Sequence, residues 1–134
     1  MKLLSVDDHA GVRAMIRQLA TLPDHDVREC ASAEEALSIA RTFMPDVVTM
    51  DVRLPGLSGF VAARAISQAY PAARVVMVSA YDQPELRHAA RQSGAVGYVV
   101  KDHLEKLRPW FGQPLSSAHP SPAAPTPGLE QGRE

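Results

Sequence analysis

The sequence is poor in the features that mark several large classes of protein. It holds one cysteine, Cys30, so no internal disulfide and no cysteine-based metal cluster can form, which suits a reducing cytoplasm. No apolar run approaches the roughly 20 residues needed to span a bilayer. The opening MKLLSVDD has one lysine and a short apolar stretch that runs into two aspartates, so it is not read as a signal peptide. Excess charge of either sign is also missing: 14 Lys+Arg stand against 15 Asp+Glu, a net charge of −1. That balance argues against gripping nucleic acid or an anionic membrane by bulk electrostatics. What is present is 134 residues, 46% of them hydrophobic, enough for the core of one domain.

Composition shifts near residue 109. Six of the eleven prolines (Pro109, Pro114, Pro120, Pro122, Pro125, Pro127) fall in the last 26 residues, with three of the eight glycines. Beyond Gln113 there is no helical or alternating pattern, too little to offset the entropy of ordering. The expected organisation is therefore a folded domain over 1–108 and a Pro-rich, disordered tail over 109–134. On that organisation no second folded module is expected after residue 109, and so no recognition helix for DNA.

Within 1–108 two kinds of segment alternate. Apolar or β-branched runs occur at Leu3–Val6, Val47–Met50, Arg74–Val78 and Gly97–Val100, with a weaker one at Asp26–Cys30. Between them lie stretches with helical spacing, such as Val12, Met15, Ile16, Leu19 and Leu22. Ser32-x-x-Glu35, Asp82-x-x-Glu85 and Asp102-x-x-Glu105 each read as a capping box, Ser58 opens a helix after the Pro55-Gly56 turn, and Gly94 should stop a helix over 83–93. Five strands alternating with helices predict an α/β fold, a doubly wound five-stranded parallel sheet covered on both faces. The last helix is expected to be short, because Pro109 would end or kink it. Trp110 and Phe111 then either wrap onto the core as a lid or form an exposed partner patch.

In an open α/β sheet, ligands sit beyond the carboxyl ends of the strands. Those ends carry Asp7-Asp8 after the first strand, Asp51 after the third, Ser79-Ala80 after the fourth and Lys101 after the fifth. Each has an ordinary explanation alone: a helix cap, a turn aspartate, a loop hydroxyl, a solvated lysine. Their occurrence at four strand ends is what points to a site. Three carboxylates in close proximity repel, and a hard divalent cation resolves the repulsion. Mg²⁺ is the natural candidate, since it takes one or two carboxylates together with phosphate oxygens. Asp51 is then the candidate nucleophile for a phosphoryl group, with Lys101 and Ser79 to neutralise and hydrogen-bond it.

The segments SVDDH, VVTMDVRLPGLSGF, VMVSAY and GYVVKD resemble the response-regulator receiver domain of two-component signalling over roughly residues 2–108. The Asp-Asp-His start and the GYVVKD ending look most like receivers of the NarL/FixJ type. The resemblance implies a CheY-like, flavodoxin-like strand order 2-1-3-4-5. It implies that Asp51 accepts phosphate from a sensor histidine kinase or phosphotransfer protein. Asp7, Asp8 and Asp51 would bind Mg²⁺ together with the backbone carbonyl of Arg53. Lys101 and Ser79 would contact the phosphoryl group, and the small Ala80 would leave access to Asp51. Tyr98 would be the switch aromatic that swings inward as the Ser79 hydroxyl moves. Arg53 and Tyr81 stand at the two variable flanking positions, where the bulky Tyr81 would shield the phosphoryl group.

The expected function is a stand-alone, cytoplasmic receiver. It would not be an enzyme in the usual sense, catalysing only its own phosphorylation and dephosphorylation. It would act as an interaction switch, relay or phosphate sink on a downstream protein target, with homodimerisation open and no direct contact to DNA or membrane. A pseudo-receiver that binds without chemistry is the alternative. An Asp-nucleophile phosphatase of the haloacid dehalogenase type is more remote, since that family needs a second aspartate where Arg53 stands. Many family members also carry proline after the lysine, often with a cis bond; here Asp102 follows Lys101. Arg87, His88 and Arg91 share one helical face and read as a solvated set.

Overall fold

A computed structural model describes residues 1–112. Five strands form one parallel sheet: β1 (Lys2–Val6), β2 (Asp26–Cys30), β3 (Val47–Asp51), β4 (Arg74–Ser79) and β5 (Gly97–Val100), in spatial order β2-β1-β3-β4-β5. Every residue of β3 is buried, whereas β2 alternates along the sheet edge, as expected for a central and a flanking strand. The helices are α1 (Ala10–Leu19), α2 (Ala33–Phe43), α3 (Gly59–Ala69) and α4 (Pro84–Gln92), and the chain closes with a 3₁₀ segment over Lys101–Phe111.

The sheet separates two cores. On one face α2, α3 and α4 bury mainly small residues, Ala33, Ala36, Ala40, Ala62, Ala63 and Ala90, which let the helices approach the strands closely. On the other, Ile16 of α1 and Ala20 just beyond it pack with Leu104, Leu107, Trp110 and Phe111 of the closing segment. Of the expected α1 stripe, only Ile16 is fully buried; Val12 and Leu19 are half-buried, and Met15 and Leu22 are exposed. At about 100° per residue, Met15 sits about 100° from Ile16, against about 40° and 60° for Val12 and Leu19. Leu22 lies past the helix end. The stripe that touches the sheet is therefore narrower than the spacing suggested.

The start signals divide in the same way. Ser32 caps α2, its hydroxyl accepting from the Glu35 N–H at 3.2 Å, while the Glu35 carboxylate accepts from the Ala31 N–H at 3.0 Å. Ser58 caps α3 through the Val61 N–H at 3.3 Å. Asp82 does not cap α4, which has Gln83 at that position and no side-chain cap; its carboxylate pairs with Arg87 at 2.7 Å instead. Asp102 makes no cap either, because the closing segment starts directly from β5. Gly94 follows α4 at φ +90°, the expected stop.

The closing segment departs most from expectation. It winds as 3₁₀ turns and kinks at His103 (φ −134°, ψ 52°) rather than at Pro109, which is accommodated inside it. The clash of a proline ring with the carbonyl four residues back belongs to α geometry, and 3₁₀ bonds run to the residue three back. The expected boundary at residue 108 falls inside this segment: Trp110 and Phe111 are buried, as a lid on the core and not as an exposed patch. A Cβ on Gly97 would collide with the Trp110 indole, so only glycine fits β5 there. No cis peptide bond occurs among the described residues, and Lys101–Asp102 is trans. Residues 113–134, most of the expected tail, lie outside the described residues.

Candidate functional site

Strand register brings the predicted residues to one edge. Val6 pairs with Met50, Asp51 with Val78 and Ser79 with Val100, so Asp7, Asp51, Ser79 and Lys101 emerge level with one another. Asp51 is the last residue of β3 and is buried. Its backbone is gripped from the far side by α3, whose first residue, Gly59, approaches so closely that a Cβ would strike the Asp51 carbonyl oxygen. Asp7 is also buried, whereas Asp8 is exposed. Carboxylate oxygens of Asp7, Asp8 and Asp51 all lie within 4.8 Å of one another.

Lys101 sits against this cluster, with Nζ 3.0 Å from Asp7 Oδ2 and 3.4 Å from Asp51 Oδ1. Burial works against its ammonium, but the two carboxylates outweigh it and hold its pKa above the ordinary lysine value. For Asp51, burial and then the Asp7 charge push the pKa up to about 6; Lys101 and the Arg53 N–H, at 3.3 Å from Oδ1, pull only part of the way back. The cluster thus carries more negative charge than one ammonium neutralises. Asp7 Oδ2 makes the same point. It is buried with no aligned hydrogen bond despite its ion pair, while the other oxygen, Oδ1, accepts from the His9 N–H at 2.8 Å. Three carboxylates with an undersatisfied buried oxygen make a donor set that fits a hard divalent cation.

The remaining predicted residues surround a cleft of about 360 Å³ over Asp51 and Lys101. Ser79, Ala80, Arg53 and Tyr81 line it, joined from the α1 side by His9 and Val12, which sequence reasoning had not assigned. The Ser79 hydroxyl accepts from the Tyr81 N–H at 3.0 Å. The exposed Tyr81 ring lies 5.0 Å from the Arg53 guanidinium, so the two flanking residues meet across the mouth. Tyr98 does not line the cleft, but its hydroxyl lies against the side chain of Ser79, which does. The Tyr98 ring is buried, and its hydroxyl donates to the Tyr81 carbonyl at 2.6 Å, tying β5 to the loop that carries Ser79.

Two further arginines escaped the sequence reading. Arg13 donates to the Asp7 carbonyl at 2.6 Å and pairs with Glu29 at 3.0 Å, holding the end of β1 between α1 and β2. Arg87, expected to be solvated, lies over the Tyr98 ring at 4.7 Å. The available signal was its spacing: Leu86, Arg87 and Ala90 share the inward face of α4.

Residues 3–109 match the family model of the response regulator receiver domain. The chain is 39% identical over 105 residues to the response regulator GacA of Pseudomonas syringae pv. syringae, covering 75% of this chain and 48% of that protein. It is 32% identical over 101 residues to the chemotaxis protein CheY of Thermotoga maritima, covering 75% and 84%. A crystal structure of a LuxR-family two-component response regulator from Aurantimonas sp. superposes with a TM-score of 0.74 at 35% identity, covering 83% and 82%. The chain spans about half the length of the GacA relatives it matches. A parallel sheet of order 2-1-3-4-5 with three aspartates and a lysine at its carboxyl edge places this chain in the response-regulator receiver family of two-component signalling.

Proposed function

We propose that this domain is a phosphorylation-driven switch: Asp51 takes a phosphoryl group from the phosphohistidine of a sensor histidine kinase or a phosphotransfer protein. The observation that carries the reading is the meeting of Asp7, Asp8 and Asp51 within 4.8 Å, beside Lys101 at 3.0 and 3.4 Å. In the transfer, an Asp51 carboxylate oxygen bonds to phosphorus as the phosphorus–nitrogen bond breaks, and the electron pair of that bond leaves with the imidazole. Asp7, Asp8 and Asp51, with the Arg53 carbonyl as a further ligand, would hold Mg²⁺, which would supply charge neutralisation for the phosphoryl oxygens. Lys101 adds a fixed positive charge already aimed at Asp51, so little reorganisation is needed at the moment of transfer. Ser79 turns its hydroxyl from the Tyr81 N–H towards the new phosphoryl oxygen.

That movement releases one tie of the β4–α4 loop, and Tyr98, bonded to the same loop residue, passes the change to α4 and the outer face of β5. Two or three charge-assisted hydrogen bonds at about 1.5–3 kcal/mol each are of the size needed to reset a two-state element. The switched face then engages a downstream protein in the cytoplasm, as adaptor, relay or sink. The test is to incubate the purified chain with a small phosphodonor and Mg²⁺ and read intact mass, with Asp51→Asn alongside. A gain of one phosphoryl group that vanishes in the variant and without Mg²⁺ is expected. No gain under any condition, candidate kinases included, would overturn the reading.

A further inference from the structure

The β4–α4 loop, α4 and β5 meet at one arginine. Arg87 of α4 is largely covered, with its side chain 12% exposed, and its guanidinium lies 4.7 Å from the centroid of the Tyr98 ring. Its Nε donates to Asp82 Oδ1 at 2.7 Å, in the loop that follows Ser79. One of its terminal nitrogens, Nη1, is buried with no hydrogen-bond partner. A buried guanidinium nitrogen without a partner is costly, so the side chain does not take this position for its own hydration. Stacking on an aromatic face, with the cation anchored at the other end by a carboxylate, is what the position supplies.

Tyr98 is thus held from two sides. Its hydroxyl donates to the Tyr81 carbonyl at 2.6 Å, and its ring is covered by Arg87. Neither contact runs through the Asp51 carboxylate, which is paired with Lys101. We propose that Arg87 is a positioning residue that holds Tyr98 inward by stacking on its ring while anchored to Asp82, so that the chain's own contacts, apart from Asp51, favour the inward arrangement. The inference deepens the switch reading above and rests on it for its consequence. A ring already biased inward leaves the phosphoryl group a smaller equilibrium to shift, and the outer face of α4 and β5 is partly preset. Apolar packing does not do this work on α4, where Ala90 is the buried residue.

The full chain labelled with 3-fluorotyrosine tests this directly. It has three tyrosines, so ¹⁹F spectra contain three resonances, assigned with Tyr98→Phe and Tyr81→Phe. The H₂O/D₂O solvent isotope shift then reads how exposed each ring is. In the parent chain Tyr98 should be shielded and Tyr81 exposed. Arg87→Ala should raise the outward population of Tyr98 about tenfold, equivalent to about 1.4 kcal/mol. Arg87→Lys, which keeps a charge for Asp82 but loses the planar group, should fall between, as should Asp82→Asn. A Tyr98 resonance equally shielded in Arg87→Ala and Asp82→Asn would overturn the proposal. If Arg87→Ala loses its cooperative melting transition, Asp82→Asn decides. Phosphoryl uptake measured on the same samples keeps the two readings apart: a chain that takes no phosphate but shows Arg87-dependent shielding loses the switch and retains the clamp.

Discussion

β5 is flanked by two elements that dock on it in opposite ways. The closing 3₁₀ segment inserts Leu104, Leu107, Trp110 and Phe111 into the core, although its geometry is poor for a long helix. Helix α4 is regular, yet it buries only Ala90, with Leu86 half-buried, and is fastened by the polar set of Asp82, Arg87 and Tyr98. Backbone regularity and attachment strength are therefore decoupled here. Apolar area holds the irregular element, while directional contacts hold the regular one. Directional contacts can be exchanged for others of similar strength without exposing a core, which is what an element that moves requires.

The largest effect should separate the two sides outright. Trp110→Ala is expected to cost about 3–5 kcal/mol in denaturant unfolding, towards the lower end because the buried indole N–H has no hydrogen-bond partner to lose. Leu86→Ala, which truncates the half-buried leucine of α4, should cost about 1–2 kcal/mol. Equal losses would erase the distinction.

The next effect lies at the site, where the closing segment begins with Lys101. Asp51 has its pKa pushed up to about 6, above its unfolded value near 4, so the folded chain binds more protons than the unfolded chain within that window. Stability of the metal-free protein should therefore fall by on the order of 3 kcal/mol as pH rises through about 4 to 6. Added Mg²⁺ should recover part of it, and Asp51→Asn should flatten that slope. A profile identical in the variant would show that the cluster is not under the strain its geometry implies.

A smaller effect sharpens the α4 side. Asp82 is more than half exposed, so Asp82→Ala should cost under about 1 kcal/mol, less at high salt, while amide exchange in α4 accelerates. A loss as large as that of Trp110→Ala would mean that α4 is clamped and not lightly held. Smallest in free energy is Tyr81→Ala at the cleft mouth, where the ring meets Arg53. It should shorten the phosphoryl half-life without changing the fold; an unchanged half-life would remove the shielding role from Tyr81.

The site was more legible than the elements packed around it. Asp7, Asp51, Ser79 and Lys101 could be placed together because they follow apolar runs, and parallel strands of similar length end level. Asp82 and Asp102 show the limit of local signals. Both open a capping-box pattern, but Asp82 found Arg87, and Asp102 follows β5 too directly to cap anything. Met15 and Leu22 matched a helical stripe that the sheet contacts over a narrower arc. Pro109 correctly signalled trouble for an α-helix, and the chain answered by winding 3₁₀ turns and kinking six residues earlier, at His103.

The sequence by itself determined the α/β class, the order of elements and the chemistry gathered at the strand ends, because periodicity, caps and strand termini are properties of neighbouring residues. Tertiary structure alone decided that Trp110 seals one core against Gly97, that Arg13 braces Asp7, and that Arg87 covers Tyr98. Those outcomes depend on which surface of an element is met by residues distant in sequence. A long amphipathic side chain such as arginine reads the same in sequence whether it ends in water or on an aromatic ring.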